Sequence, residues 1–107
     1  MHEHIKTIWV KELRSDKYIQ GKNKLRTTTP TGVTKHCCLG ILSELCDTIL
    51  DFNKFNNELG NRSYLHEDVI KWAGMTTKKQ LSLCGQNDIG ISFAEIADYI
   101  EQTWKDL

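Results

Sequence analysis

The sequence predicts an α+β fold in one domain over residues 1–107, a β-hairpin packed against about four helices. Three observations predict it. Apolar residues recur at helical spacing near the start, in the middle and at the end of the chain. Two β-compatible runs flank the only proline. A length of 107 residues suits one domain that buries a core without a staple, though with a thin margin.

The elements follow in order. Ile5, Ile8, Trp9 and Leu13 fall on one helical face, with Lys6, Lys11, Glu12 and Arg14 around them. This helix fades near Ser15-Asp16. Gly21, after Tyr18-Ile19-Gln20, marks a turn or a close backbone approach. Lys24 to Thr28 and Val33 to Cys37 read as strands, and Thr29-Pro30-Thr31-Gly32 between them has turn chemistry. Two strands alone are marginal, so the hairpin must lean on helices. From Cys38 the period changes: Cys38, Leu39, Leu42, Leu45, Cys46, Ile49 and Leu50 mark a broad apolar helix face. Phe52 to Asn61 is Asn-rich, ends in Gly60-Asn61 and reads as a loop that has room for one helical turn. Residues 65–73 form a short helix closed by Gly74. Lys78 to Cys84 is a short helix or an irregular segment. Ser92-Phe93-Ala94-Glu95 is a capping box. Phe93, Ile96, Ala97, Ile100 and Trp104 then share one buried face.

A hydrophobic content of 39% with 26% charged residues places the chain among globular rather than disordered proteins. No apolar run reaches the roughly 20 residues of a membrane span, and no secretory signal opens the chain. The expected location is cytoplasmic. Net charge is zero, but it is unevenly spread. Up to His36 there are eight Lys/Arg and three acids; from Cys37 onward there are six and eleven. The basic first third either meets an anionic partner or packs against the acidic remainder.

Cys37, Cys38, Cys46 and Cys84 read as buried thiols in a chain without a secretory context. Zinc is disfavoured, because structural sites pair ligands two to four residues apart, whereas Cys37 and Cys38 are adjacent. His36 beside Cys37 suggests a Cys–His pair, but neighbours in a strand do not converge easily. No metal or cofactor is expected. No phosphate-binding loop or dinucleotide fingerprint is present, and no pair of catalytic carboxylates stands out. The acids from Glu44 to Glu58 read as a helix's wet face. Asn87-Asp88-Ile89-Gly90 reads as a turn, or as the polar lip of a pocket. The basic residues Arg14, Lys17, Lys22, Lys24, Arg26 and Lys35 are interleaved with Tyr18, a combination that suits stacking on a base and charge on a phosphate.

A longer pattern runs through the chain. It reads Trp9-x-x-x-Leu13-Arg14-Ser15-x-x-Tyr18-x-Gln20-Gly21, then Leu25, then Cys37-Cys38-Leu39-Gly40-Ile41-Leu42. Val69-x-x-Trp72-x-Gly74 and Asn87-Asp88-x-Gly90-x-Ser92-Phe93-x-x-Ile96-Ala97-x-x-Ile100 follow. This pattern resembles a family of small uncharacterised proteins of tailed bacteriophages, over nearly the whole chain. Asp16 stands where that family commonly has Gly, and Gln86 where it usually has Leu.

The resemblance implies an accessory, non-enzymatic protein of an infected bacterial cell. The expected function is anti-defence: binding and sequestering a small anionic nucleotide-type immune signal, with a homo-oligomer as the expected assembly. Tyr18 or Trp9 would stack on the base. Arg14, Lys24, Arg26 and Lys35 would hold phosphate. Gln20, His36, Asn87 and Asp88 would read polar edges. The alternative is a protein–protein inhibitor or adaptor acting on a host protein. Nucleic acid is a weaker expectation for a chain of zero net charge, and a nucleotide-cleaving enzyme using His36 is the last.

Overall fold

A computed structural model describes residues 1–50 and 56–107, and the fold is α+β. Helix α1 spans Glu3–Leu13. Its apolar stripe buries Ile5, Trp9, Val10 and Leu13. The chain reverses at Asp16, whose φ of 61° lies in the left-handed region. That region is free to glycine and tolerated by aspartate.

Three short strands follow, β1 (Ile19–Gln20), β2 (Arg26–Thr28) and β3 (Thr34–His36), in the spatial order β1-β3-β2. The β2–β3 hairpin matches the two β-compatible runs, with Thr28 opposite Thr34 across the Pro30-Gly32 turn. Strand β1 was not foreseen. It pairs parallel to β3, with Ile19 opposite Lys35 and Gln20 opposite His36. Two residues are too short to show an alternation, and parallel partners are distant in sequence.

Helix α2 (Cys38–Leu50) is the central element. Cys38, Leu39, Ile41, Leu42 and Cys46 are fully buried. Ile49 and Leu50, expected on the same face, are instead exposed at 52% and 40%, because α2 outruns the core at its C-terminal end. Gly40 lets α2 approach β2: a Cβ there would lie 2.7 Å from the Leu25 carbonyl carbon. The loop expected from Phe52 to Asn61 lies partly outside the described residues, and Asn56–Asn61 is a 3-10 helix.

Helix α3 (Glu67–Ala73) ends at Gly74 in the left-handed conformation, φ 69°. The region from Lys78 is more regular than its sequence suggests. It forms a twelve-residue helix, α4 (Thr77–Asp88), whose buried residues are Gln80, Leu83 and Asn87. Two of these three are polar, so the apolar period is faint. Asn87 and Asp88 therefore end a helix, and Gly90 at φ 94° makes the turn that follows. Helix α5 (Phe93–Thr103) starts at Ser92, whose Oγ accepts from the Glu95 amide at 3.2 Å. The return half of the expected box differs: Glu95 Oε1 accepts the Ser92 hydroxyl at 3.0 Å. Ile96, Ala97 and Ile100 are buried, whereas Trp104 is only partly so.

Three ion pairs offset part of the charge asymmetry. Lys6 Nζ meets Glu101 at 3.2 Å, Arg14 Nη2 meets Asp98 at 2.8 Å and Arg26 Nη1 meets Glu44 at 3.2 Å. Each pair joins the basic first third to the acidic remainder.

Candidate functional site

The ten residues expected to bind a ligand separate into five groups. Trp9 belongs to none of the accessible ones. It is fully buried, and its Nε1 donates to the Cys38 carbonyl at 2.9 Å. An indole with its N–H satisfied inside the core cannot stack on a ligand, so this expectation is corrected.

Gln20, Asn87 and Asp88 form a latch between α4 and the strands. Asn87 is fully buried. Its Oδ1 accepts from Gln20 Nε2 at 3.0 Å and from the Cys38 amide at 3.2 Å. Its Nδ2 donates to the Gly21 carbonyl at 2.7 Å. Gln20 Nε2 also donates to the Ile91 carbonyl at 2.6 Å. Asp88 Oδ1 accepts from the amide of Asn23, itself at φ 69°. These groups are committed to the fold rather than turned to a lip, which corrects their expected role. The Cys38 amide is one of the orphan donors of the α2 first turn, so Asn87 caps α2 from a distance.

Arg26 and His36 lie opposite each other on β2 and β3, and Gln20 faces His36 from β1. A polar row thus crosses the inner face of the sheet. Glu44, absent from the expected set, sits over it from α2. Its Oε1 lies 3.2 Å from Arg26 Nη1 and 2.9 Å from His36 Nε2. The second contact is close in distance but off the N–H line, and Nε2 has no directed hydrogen bond among the described residues. Burial opposes the charge on Glu44, but His36 and Arg26 outweigh it and hold its carboxyl below the usual range. Of the other acids expected on a wet face, Asp47 is buried, and the side chains of Asp51 and Glu58 lie outside the described residues.

A lowered carboxyl contributes stability above its unfolded value, near pH ~4.3 for glutamate. That contribution is lost as pH falls through the lower folded value. Glu44→Gln is expected to cost about 1–2 kcal/mol at neutral pH. The gap to wild type should close towards about pH 3. Urea unfolding at both pH values checks this, and a gap independent of pH would contradict it.

Tyr18 links this row to the surface. Its ring meets His36 edge-on, with centroids 4.9 Å apart and planes at 77°. Burial first, then the charges of Glu44 and Glu12, push its phenol up, so it stays an O–H donor. On its other side Tyr18 lines a cleft of about 390 Å³ between the end of α1 and the start of α5. Leu13, Arg14 and Asp16 line it from the first side, and Ser92, Phe93 and Ala94 from the second. His36 is 6% exposed and sits behind Tyr18 rather than at this mouth. Phe93 was expected only in the core; it is partly buried there and also forms the cleft wall.

Lys24 and Lys35 lie elsewhere. Lys35 pairs in register with Ile19 and Thr27 on the outer sheet face, opposite to His36, and is half-buried. Lys24 is exposed in the loop before β2. The cleft therefore brings together Arg14 and Tyr18 of the expected set and adds Asp16 and Phe93.

The cysteines are not poised for chemistry. Burial pushes the thiols of Cys37, Cys46 and Cys84 up to about 11, and that of Cys38 well above its ordinary value. Among the described residues, no group of three or more His, Cys, Asp or Glu could hold a metal ion. Nor is any described helix long and apolar enough to cross a membrane.

No curated protein and no solved structure matches this chain. A family model does, over residues 1–104, and by that match the chain belongs to the family described as Domain of unknown function (DUF8296).

Proposed function

We propose that the protein is a non-enzymatic binding module for a small anionic nucleotide-type ligand held in the α1–α5 cleft. One observation carries this reading: Tyr18, Phe93 and Arg14 meet around a single cavity of about 390 Å³. That volume lies in the range of small-molecule sites, and aromatic walls with one lining cation suit a ring and an anionic group. Arg14 has five N–H donors and spends few of them on Asp98. The setting we propose, sequestration of an immune signal by a phage accessory protein, rests on the sequence resemblance.

Arg14→Ala and Tyr18→Ala are each expected to weaken nucleotide binding roughly tenfold or more, as for anchor residues of a site. Lys24→Ala, distant from the cleft, should leave it within about twofold. Titration calorimetry checks this, and equal losses in all three variants would move the site away from the cleft.

A protein partner is the second reading. It is favoured by the exposure of Ile89 at 77%, with Leu81 and Ile49 both at 52%. Co-purification of a host protein, lost on Ile89→Ser, would support it.

A further inference from the structure

The charge around the cleft is not that of a general phosphate site. Arg14 is the only cation among the described residues that line it. Asp98 Oδ1 lies 2.8 Å from Arg14 Nη2, and Glu101 Oε1 lies 3.8 Å from Nη1. Glu101 is shared with Lys6, at 3.2 Å. Asp16 also lines the cleft, is exposed, and has no ion-pair partner among the described residues. Three carboxylates thus surround two cations. Arg14, already shared with Asp98 and Glu101, still offers unspent N–H donors to one anionic group. The surplus Asp16 carboxylate opposes every negative charge a ligand brings, so a second charge adds repulsion with no further cation lining the cleft to offset it.

The geometry points to Asp16 as a charge filter. The cleft takes a flat aromatic ring carrying a single negative charge, as in a nucleoside phosphodiester. It holds off the same nucleoside bearing a doubly charged terminal phosphate. This inference rests on the ligand reading of the cleft given above. Like charges within one small cleft repel even near the surface, and salt weakens the effect. A terminal phosphate is doubly charged above its second pKa of about 6, so the filter acts at neutral pH.

The test uses adenosine 5′-monophosphate and its methyl ester, which share base and sugar and differ by one charge. The guanosine pair serves as a repeat. Affinities are measured by calorimetry at low ionic strength and about pH 7.5. The ester is expected to bind about 3- to 10-fold tighter to the wild-type protein. Asp16→Asn should bring the ratio below about twofold by strengthening the monophosphate. Asp16→Gly, compatible with φ 61°, should do the same and guards against an effect peculiar to the amide. A wild-type protein that binds both without preference, or a preference unchanged in both variants, overturns the filter alone. Failure of all four nucleotides to bind overturns the ligand reading of the cleft, and the filter with it.

Discussion

Replacing Gly40 by alanine is expected to unfold the protein or to cost several kcal/mol, on the order of 4 or more. The added Cβ would overlap the Leu25 carbonyl oxygen and lie 2.7 Å from the carbonyl carbon. Neither partner can step aside. The Leu25 carbonyl accepts from the Cys37 amide at 3.1 Å, and the Leu25 amide donates to the Arg62 carbonyl at 2.8 Å. Gly40 is itself in the first turn of the most buried helix. Relief would require α2 to move off the strands, opening the core around Leu25, Leu39 and Ile41. Urea denaturation, or the yield of folded protein, reads the effect. A loss below about 1 kcal/mol would show that α2 and Leu25 are not in close contact at Gly40.

Asn87→Ala should be nearly as damaging, at about 3 kcal/mol or more. It strands the Cys38 amide and the Gly21 carbonyl, leaves Gln20 with one acceptor, and opens a cavity at a fully buried position. Asn87→Asp is an informative companion. It keeps an acceptor for Cys38 but removes the donor to Gly21. It also sets a buried carboxylate beside Asp88 Oδ1, which lies 3.4 Å from the present Nδ2. Both variants should therefore fail by a similar amount. If Asn87→Asp were as stable as wild type, the Nδ2 bond to Gly21 would carry no weight.

These two positions show what the sequence could and could not convey. The helices α1, α2 and α5 were legible because their cores are apolar and periodic. Helix α4 was not, because Gln80 and Asn87 are buried for their hydrogen bonds rather than for apolar surface. Gln80 Oε1 accepts from the Leu65 amide at 3.0 Å, and no hydropathy pattern encodes such a pairing. The β2–β3 hairpin announced itself through Pro30 and Gly32. Strand β1 had no local signal at all.

The candidate site was legible only in fragments. Aromatic and basic residues in the first third were visible, but their directions were not. Trp9 turns inward because the Cys38 carbonyl lies within reach of its indole. Arg26 and His36 turn toward α2 because the strand register puts them on one face, where Glu44 awaits them. Glu44 is six residues into α2, and its sequence neighbourhood reads as a solvated face. Phe93 belongs to the α5 stripe, yet its position at the first turn leaves it only partly buried and exposes it to the cleft. Such double roles follow from where an element ends, which a periodic pattern does not fix.

The most direct test is a depletion measurement. The purified protein is incubated with a panel of linear and cyclic nucleotides, the solution is analysed, and the protein is then heated to release what it holds. One class is expected to be depleted, released intact, and left in solution by the Arg14→Ala and Tyr18→Ala variants. Depletion with an altered product would make the protein an enzyme. No depletion of any nucleotide would contradict the account and leave the exposed apolar residues of α2 and α4 as the surface to pursue.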